Sequence, residues 1–363
     1  MVKKRIFCIV AAIILIGGLT ALLYADSQGE AADRNNKDAA QIRAFIYHHF
    51  GKQDKYPSTS VSVKQFRNHL EYFKKHDYTV LPLGKALNRM YSGGDLPEKT
   101  AVLTIDDGYR SIWENAVPLL DEYGYKATIF VPTSHVGGDN YLSWEQVAEL
   151  QKKGHEIGNH SHSHPYFLNS DSGKIAEAFE ADLEKAHDLF RRHLGSVPDI
   201  YAYPFGEYHP EMFAVLEKYG YRAAAAQKSG VIYRGSEKFA LPRFPMNLHY
   251  AEMESFTEKL RMNALPVAEV KPESPLVSGQ NPPRLRLRVV DSGIDLGGLQ
   301  CFVSGQKNCT VKRSRQDDAL VIQVRSRDKL DSRRTLYTIT APSADGAQWH
   351  WFSHLWVVPE IAE

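Results

Sequence analysis

The chain of 363 residues has few cysteines, no excess of either charge and, beyond its first 25 residues, no long hydrophobic run. Each shortage excludes something. Lysines and arginines number 44 against 43 aspartates and glutamates, a formal net charge of +1, so the basic footprint of a nucleic-acid-binding protein is missing. A single apolar stretch, Ile6 to Ala25, rules out a multi-span membrane protein. Three cysteines cannot staple a disulfide-built scaffold, and none closes the apolar stretch, so a lipoprotein signal is not supported. There is no internal repeat. What remains is an ordinary globular composition, 43% apolar and 24% charged, with material for about two domains of ~100–200 residues each.

Lys3, Lys4 and Arg5 precede the apolar stretch and Ala25 closes it before Asp26. Residues 1–25 therefore read as a secretory signal peptide, or as an uncleaved membrane anchor with its basic end in the cytoplasm. Both imply export, to a periplasm or cell surface. Residues 26–40 are small and polar and read as a linker. Export permits a disulfide between Cys301 and Cys309; two free buried thiols are the other reading.

From residue 41 to 265, strand-like runs alternate with amphipathic stretches: Ala44–Tyr47, Thr79–Leu81, Ala101–Ile105, Ala127–Val131, Glu156–Gly158, Ile200–Tyr203 and Arg222–Ala226. Ser62 with Gln65, and Ser143 with Gln146, have the spacing of helix capping boxes. Repeated β-then-α units imply an α/β fold with a parallel sheet, either a closed barrel or doubly wound, with catalytic groups at the C-terminal ends of strands. Residues 266–283 are rich in Pro, Ser and Glu and read as a second linker. Arg284–Val290 then alternates with period two, and residues 284–363 read as a small all-β domain of sandwich type.

Two clusters carry chemistry. Asp106-Asp107-Gly108 follows an apolar strand directly. Buried carboxylates are costly unless paired or metal-bound, and adjacent side chains diverge, so one can hold a metal while its neighbour faces a water. A solvated Asp-Gly turn is the other reading. His160-Ser161-His162-Ser163-His164-Pro165 also follows a strand. His160, His164 and one carboxylate would form a hydrolytic metal site with an open position; a polar surface loop is the alternative.

These segments resemble the polysaccharide deacetylase family, the NodB-homology domain of carbohydrate esterase family 4. Thr104-Ile105-Asp106-Asp107-Gly108 is similar to its first motif and His160-Ser161-His162-Ser163-His164 to its second. The resemblance covers about residues 42–265. It implies a distorted (β/α)7-type barrel, with Asp107, His160 and His164 as ligands of a divalent metal, Zn2+ by default, and Asp106 as general base. Tyr201-Ala202-Tyr203-Pro204-Phe205-Gly206 stands for the third motif, with Ala202 where the family has an arginine and the Phe205 backbone N–H as oxyanion donor. Arg243 is the expected substitute for the missing arginine. The last two motifs have no clear counterpart, and His249 is the expected general acid. Tyr47-His48-His49 and Leu241-Pro242-Arg243 resemble the branch of exported poly-N-acetylglucosamine deacetylases.

The activity implied is hydrolytic removal of acetyl groups from an extracellular or envelope polysaccharide, foremost N-acetyl from N-acetylglucosamine units. An O-acetyl esterase and an inactive glycan-binding or export scaffold remain the rivals.

Overall fold

The computed structural model describes residues 40–51, 56–93, 95–171, 173–289, 293–306, 309–316 and 319–362. The expected signal or anchor segment 1–25 and the adjoining linker up to residue 39 lie outside them.

Short strands lead in and out of helices as the alternation predicts. The strands of the first part are β1 (Gln41–Tyr47), β2 (His49–Phe50), β3 (Ser60–Val61), β4 (Thr79–Leu81), β5 (Thr100–Ile105), β6 (Thr128–Val131), β7 (Glu156–Asn159), β8 (Ile200–Ala202), β9 (Ala223–Ala225), β10 (Ile232–Tyr233) and β11 (Phe244–Pro245). The order across the main sheet is β10-β1-β5-β6-β7-β8-β9, with β4 beside β5 and β11 beside β1. All its pairings are parallel except β10 with β1. Leu241 bridges Ala225 of β9, and three residues on β11 begins, pairing with Phe45 and Ile46 of β1. This strip joins the two edges and curls the sheet into the distorted barrel.

Both capping boxes form. Ser62 and Gln65 open the helix Val63–Lys75, which buries Phe66, Leu70 and Phe73; Ser143 and Gln146 open Trp144–Lys152. Gly124 ends Val117–Tyr123 in the left-handed conformation, φ 70°. Because the main-sheet strands run the same way, the ends of β1, β5, β7 and β8 open on one side, where the polar motifs lie.

The remaining strands are β12 (Met262–Ala264), β13 (Val267–Lys271), β14 (Arg284–Val289), β15 (Gln300–Val303), β16 (Cys309–Gln316), β17 (Ala319–Ser326), β18 (Arg334–Pro342) and β19 (Trp349–Val357). They form two four-stranded sheets, β12-β19-β18-β15 and β13-β14-β17-β16, around a core of Leu285, Leu287, Val289, Ile322, Val324, Tyr337, Ile339 and Trp356. This is the expected sandwich. Cys301 of β15 and Cys309 of β16 are bridged, tying an edge of one sheet to an edge of the other.

The segment expected as a linker differs. Val267–Lys271 is an edge strand pairing antiparallel with β14, and Met262–Ala264 already pairs with β19. Apart from Pro266, the Pro and Ser residues of 266–283 fall after Lys271, so composition averaged over the whole stretch hides the short strand. The aromatic strand β19 packs rather than displays: Trp356 and His354 are buried, and Trp351 meets Phe244 of the barrel edge-on at 5.7 Å.

Candidate metal and catalytic site

Asp106 and Asp107 leave the end of β5 in different directions. Asp106 is buried, its backbone N–H donating to Tyr47 O. Its carboxylate receives both arms of Arg243, Nη1 to Oδ1 at 2.7 Å and Nη2 to Oδ2 at 2.9 Å. Arg243 also donates to Thr104 Oγ1 and Ala226 O, and its plane lies over the Phe130 ring. A fully buried guanidinium with this many partners is a fixed fork, and a carboxylate held by it has one orientation.

Asp107 adopts φ 71°, a strained setting for a non-glycine residue, and so turns to the histidine loop. That loop is built by backbone turns and by one acid from a distant helix. Ser161 and His164 have φ 72° and 52°, and Asn159 Oδ1 accepts from Ser161 N–H. The carboxylate of Asp182, on the helix Ile175–Leu194, accepts from the N–H groups of His162 and Ser163. Sequence reasoning missed Asp182; its one signal is an acid on the buried face of that helix.

The outcome is a triangle of electron-pair donors. Asp107 Oδ1 lies 3.2 Å from His160 Nε2 and 3.3 Å from His164 Nε2, and the two Nε2 atoms are 3.2 Å apart. His160 Nδ1 must donate to the Ala202 carbonyl at 2.8 Å, so in the neutral ring Nε2 carries a lone pair. Three such donors face one another without a shared hydrogen unless something positive sits among them. A tetrahedral centre with ligands at about 2.0–2.1 Å has edges of about 3.3 Å, so the residues fit a small divalent cation such as zinc. Without a cation, the acid and the imidazole stabilise each other's charge. Burial pushes the Asp107 carboxyl up, but the His160 and His164 side chains outweigh it and hold it well below the usual range. Burial opposes charge on His160 too, and Asp107 overcomes it, raising that imidazole.

Around this centre stand further expected residues. Phe205 follows β8 with φ 58° and packs edge-on against His164 at 4.6 Å. His162 instead bonds Thr133 Oγ1 through Nδ1, and His155 Nδ1 accepts from Ala127 N–H, so both serve the scaffold. His249 is exposed, and its recorded bond is from its backbone N–H to Asn247 Oδ1; among the described residues nothing links it to the cluster. His48, at the end of β1, is buried, has Nδ1 without a hydrogen-bond partner, and feels Asp106, Asp107, Arg243 and His160; burial lowers its pKa. At the rim, His49 stacks on Tyr109 at 3.6 Å and Tyr109 on Tyr141 at 5.2 Å, a row of ring faces beside the donors.

Comparison with known proteins agrees with the fold and the motifs. Residues 93–224 match the polysaccharide deacetylase family. The poly-beta-1,6-N-acetyl-D-glucosamine N-deacetylase of Staphylococcus aureus is 28% identical over 212 residues, spanning 56% of this chain and 72% of the relative. In structure, the deacetylase PplD of Streptococcus pyogenes has a TM-score of 0.55 at 21% identity, covering 61% of this chain and 98% of that one. IcaB from Ammonifex degensii has a TM-score of 0.54 at 22% identity, covering 60% and 96%. At such identities the solved structures speak for the fold, and the sequence match for the family. Residues 93–224 carry a domain of the polysaccharide deacetylase family.

Proposed function

We propose that this protein is a metal-dependent hydrolase that removes N-acetyl groups from N-acetylglucosamine units of an exported or cell-surface polysaccharide. The observation that carries the reading is the donor triangle of Asp107, His160 and His164 beside a buried carboxylate, Asp106, clamped by Arg243. The likeness to the staphylococcal enzyme supports the substrate class, and the basic, apolar start of the chain supports export.

In this reading Asp107, His160 and His164 hold the cation. When bound, it polarises the acetyl carbonyl and lowers the pKa of a water at the site. Asp106 accepts the proton of the attacking water, and Arg243 keeps both carboxylate oxygens fixed so that the acceptor needs no reorientation. The Phe205 N–H donates to the oxyanion that develops on the acetyl oxygen. The amine must be protonated as it leaves. His48, buried within reach of the charges of Asp106 and Asp107, serves for that rather than the exposed His249: it is a relay, taking at one nitrogen the proton that Asp106 has accepted from the water as it gives one to the amine from the other. The half-buried rim rings of His49, Tyr109 and Tyr141, already stacked on one another, offer their exposed edges to neighbouring sugar units.

The test is acetate release by the purified chain from N-acetylglucosamine oligomers and from O-acetylated glycans, with and without chelator. Release from the N-acetyl substrate, lost on chelation and restored by Zn2+, is expected. Release from O-acetyl esters alone would replace the amide reading with an esterase, and bound metal with no release from either would leave a glycan-binding protein.

A further inference from the structure

The loop that carries Phe205 is held from outside the barrel. Glu207, two residues on, is a buried carboxylate, and its partner comes from the sandwich. Arg333, just before β18, gives Nε to Glu207 Oε1 at 2.7 Å and Nη2 to Oε2 at 2.9 Å. The same guanidinium donates to Asn169 Oδ1 and Pro359 O, and its plane covers the Tyr166 ring at 4.0 Å. Tyr166 stacks flat on Phe205, 3.8 Å between centroids and 10° between planes, and Phe205 in turn packs on His164. Arg334 adds a longer bond to Glu207 Oε1 and lies over the Phe205 ring, 5.4 Å from its centroid. Guanidinium, tyrosine, phenylalanine and histidine thus form one continuous stack from the sandwich to the donor triangle.

The strain of the loop says why it needs holding. Phe205 sits at φ 58°, ψ 3°, a region a bulky residue does not choose, and such settings persist only where the surroundings over-determine them. Gly206 beside it, at φ 72°, packs directly on Gln227, where a Cβ would come 2.1 Å from Gln227 Cβ and 2.3 Å from Gln227 N. Gly206 N–H to Tyr203 O and Glu207 N–H to Pro204 O close the turn itself, and the Glu207–Arg333 fork, the Arg334 bond and the Tyr166 stack hold it against its surroundings. We infer that the C-terminal sandwich is part of the catalytic apparatus and that Arg333 is a positioning residue, fixing the Phe205 backbone donor and the face of His164. This rests on the hydrolase reading above. Residue 333 lies outside the segment that matches the family, 93–224, so the contribution belongs to this chain's own tail.

The test uses the full chain and two readouts, steady-state kinetics and amide hydrogen exchange of the segment 203–207. Arg333→Met is expected to lower kcat by about 10–100-fold, the scale of a ~1 Å misplacement, with KM changed far less and bound zinc unchanged. Exchange at the loop should speed at least about tenfold, as expected when local restraint is lost. Arg333→Lys keeps the charge without the fork or the plane and should fall between. Tyr337→Phe is the control: it weakens the sandwich core, where the Tyr337 hydroxyl bonds Pro283 O and Ser326 N, without touching the loop, and should spare kcat. Should Arg333→Met fail to fold with Glu207 unpaired, Arg333→Met with Glu207→Gln removes both charges and carries the same expectation. Unchanged loop exchange in a folded variant overturns the inference, as does a kcat loss matched by Tyr337→Phe at equal loss of Tm. A wild type that releases no acetate defeats the hydrolase reading instead, and the exchange readout still decides this one.

Discussion

Asp106 and Asp107 are neighbours in the chain with opposite surroundings. One is clamped between two guanidinium arms, the other faces two imidazoles. Replacing Asp106 with Asn keeps the size and removes the proton acceptor. We expect kcat to fall about 10²–10⁴-fold, the range for a lost general base, while zinc binding, measured by stoichiometry after dialysis, is retained. Persistent turnover in this variant would take the base role from Asp106. Replacing Arg243 with Met should cost more in stability than in metal binding, on the order of 3–5 kcal/mol, because a buried carboxylate loses its partner. The histidine and aspartate motifs are legible in the sequence because each is local and stands at a strand end. Arg243 is legible only by its place, since its guanidinium reaches a carboxylate 137 residues away. His249 is the converse: its place in the chain suggests the role, it lies exposed with its backbone N–H on Asn247 Oδ1, and where a loop side chain points depends on a turn that the sequence does not encode locally. Asp182 and Arg333 act on loops 20 and 126 residues away; the first shows only as an acid on a buried helix face and the second has no local signature.

At the scale of elements, strand ends place the chemistry and strand packing sets its tolerance. Gly158, in β7 two residues before His160, lies against the Phe130 ring: a Cβ there would come 2.3 Å from Cδ1 and 2.4 Å from Cε1. Phe130 in turn lies under Arg243 and near His160. Gly158→Ala should therefore push the ring toward both, destabilising by about 1–3 kcal/mol as overpacking does and lowering turnover with it. Adding Phe130→Leu should recover most of both losses. Thermal unfolding and acetate release of the three variants check this, and an innocuous Gly158→Ala would disprove the close contact. The main parallel strands were readable from their apolar runs to within a few residues. The edge strand Val267–Lys271 was not, because its five residues are half exposed and their pairing partner on β14 comes later in the chain.

Across the whole molecule, neutral buried histidines link stability to pH in the barrel and in the sandwich alike. His69 gives Nε2–H to Ala251 O and accepts from Tyr47 at Nδ1, leaving no room for a second proton, and burial holds its pKa at about 4. Burial places His155 and His187 at about 4 as well. In the sandwich, burial and then the nearby Lys228 ammonium lower His354 to about 3. Each of these pKa values lies below that of the unfolded chain, near 6.5, so the unfolded state binds more protons in between. The stabilisation is complete above about pH 6.5 and is lost as pH falls toward 4. For a shift of this size the loss is on the order of 3 kcal/mol per fully buried ring, so two or three such rings consume much of a typical domain's ~5–15 kcal/mol. Urea midpoints measured with chelator from pH 7.5 to 4.5 should therefore fall steeply below pH 6.5. His354→Phe preserves the aromatic edge on Trp356, 4.5 Å between centroids, and removes the titrating group. That variant should show a shallower acid slope than the parent, by about one proton's worth. Parallel slopes would mean that His354 gains its proton in the folded state, and that the sandwich core is wetter than its burial implies.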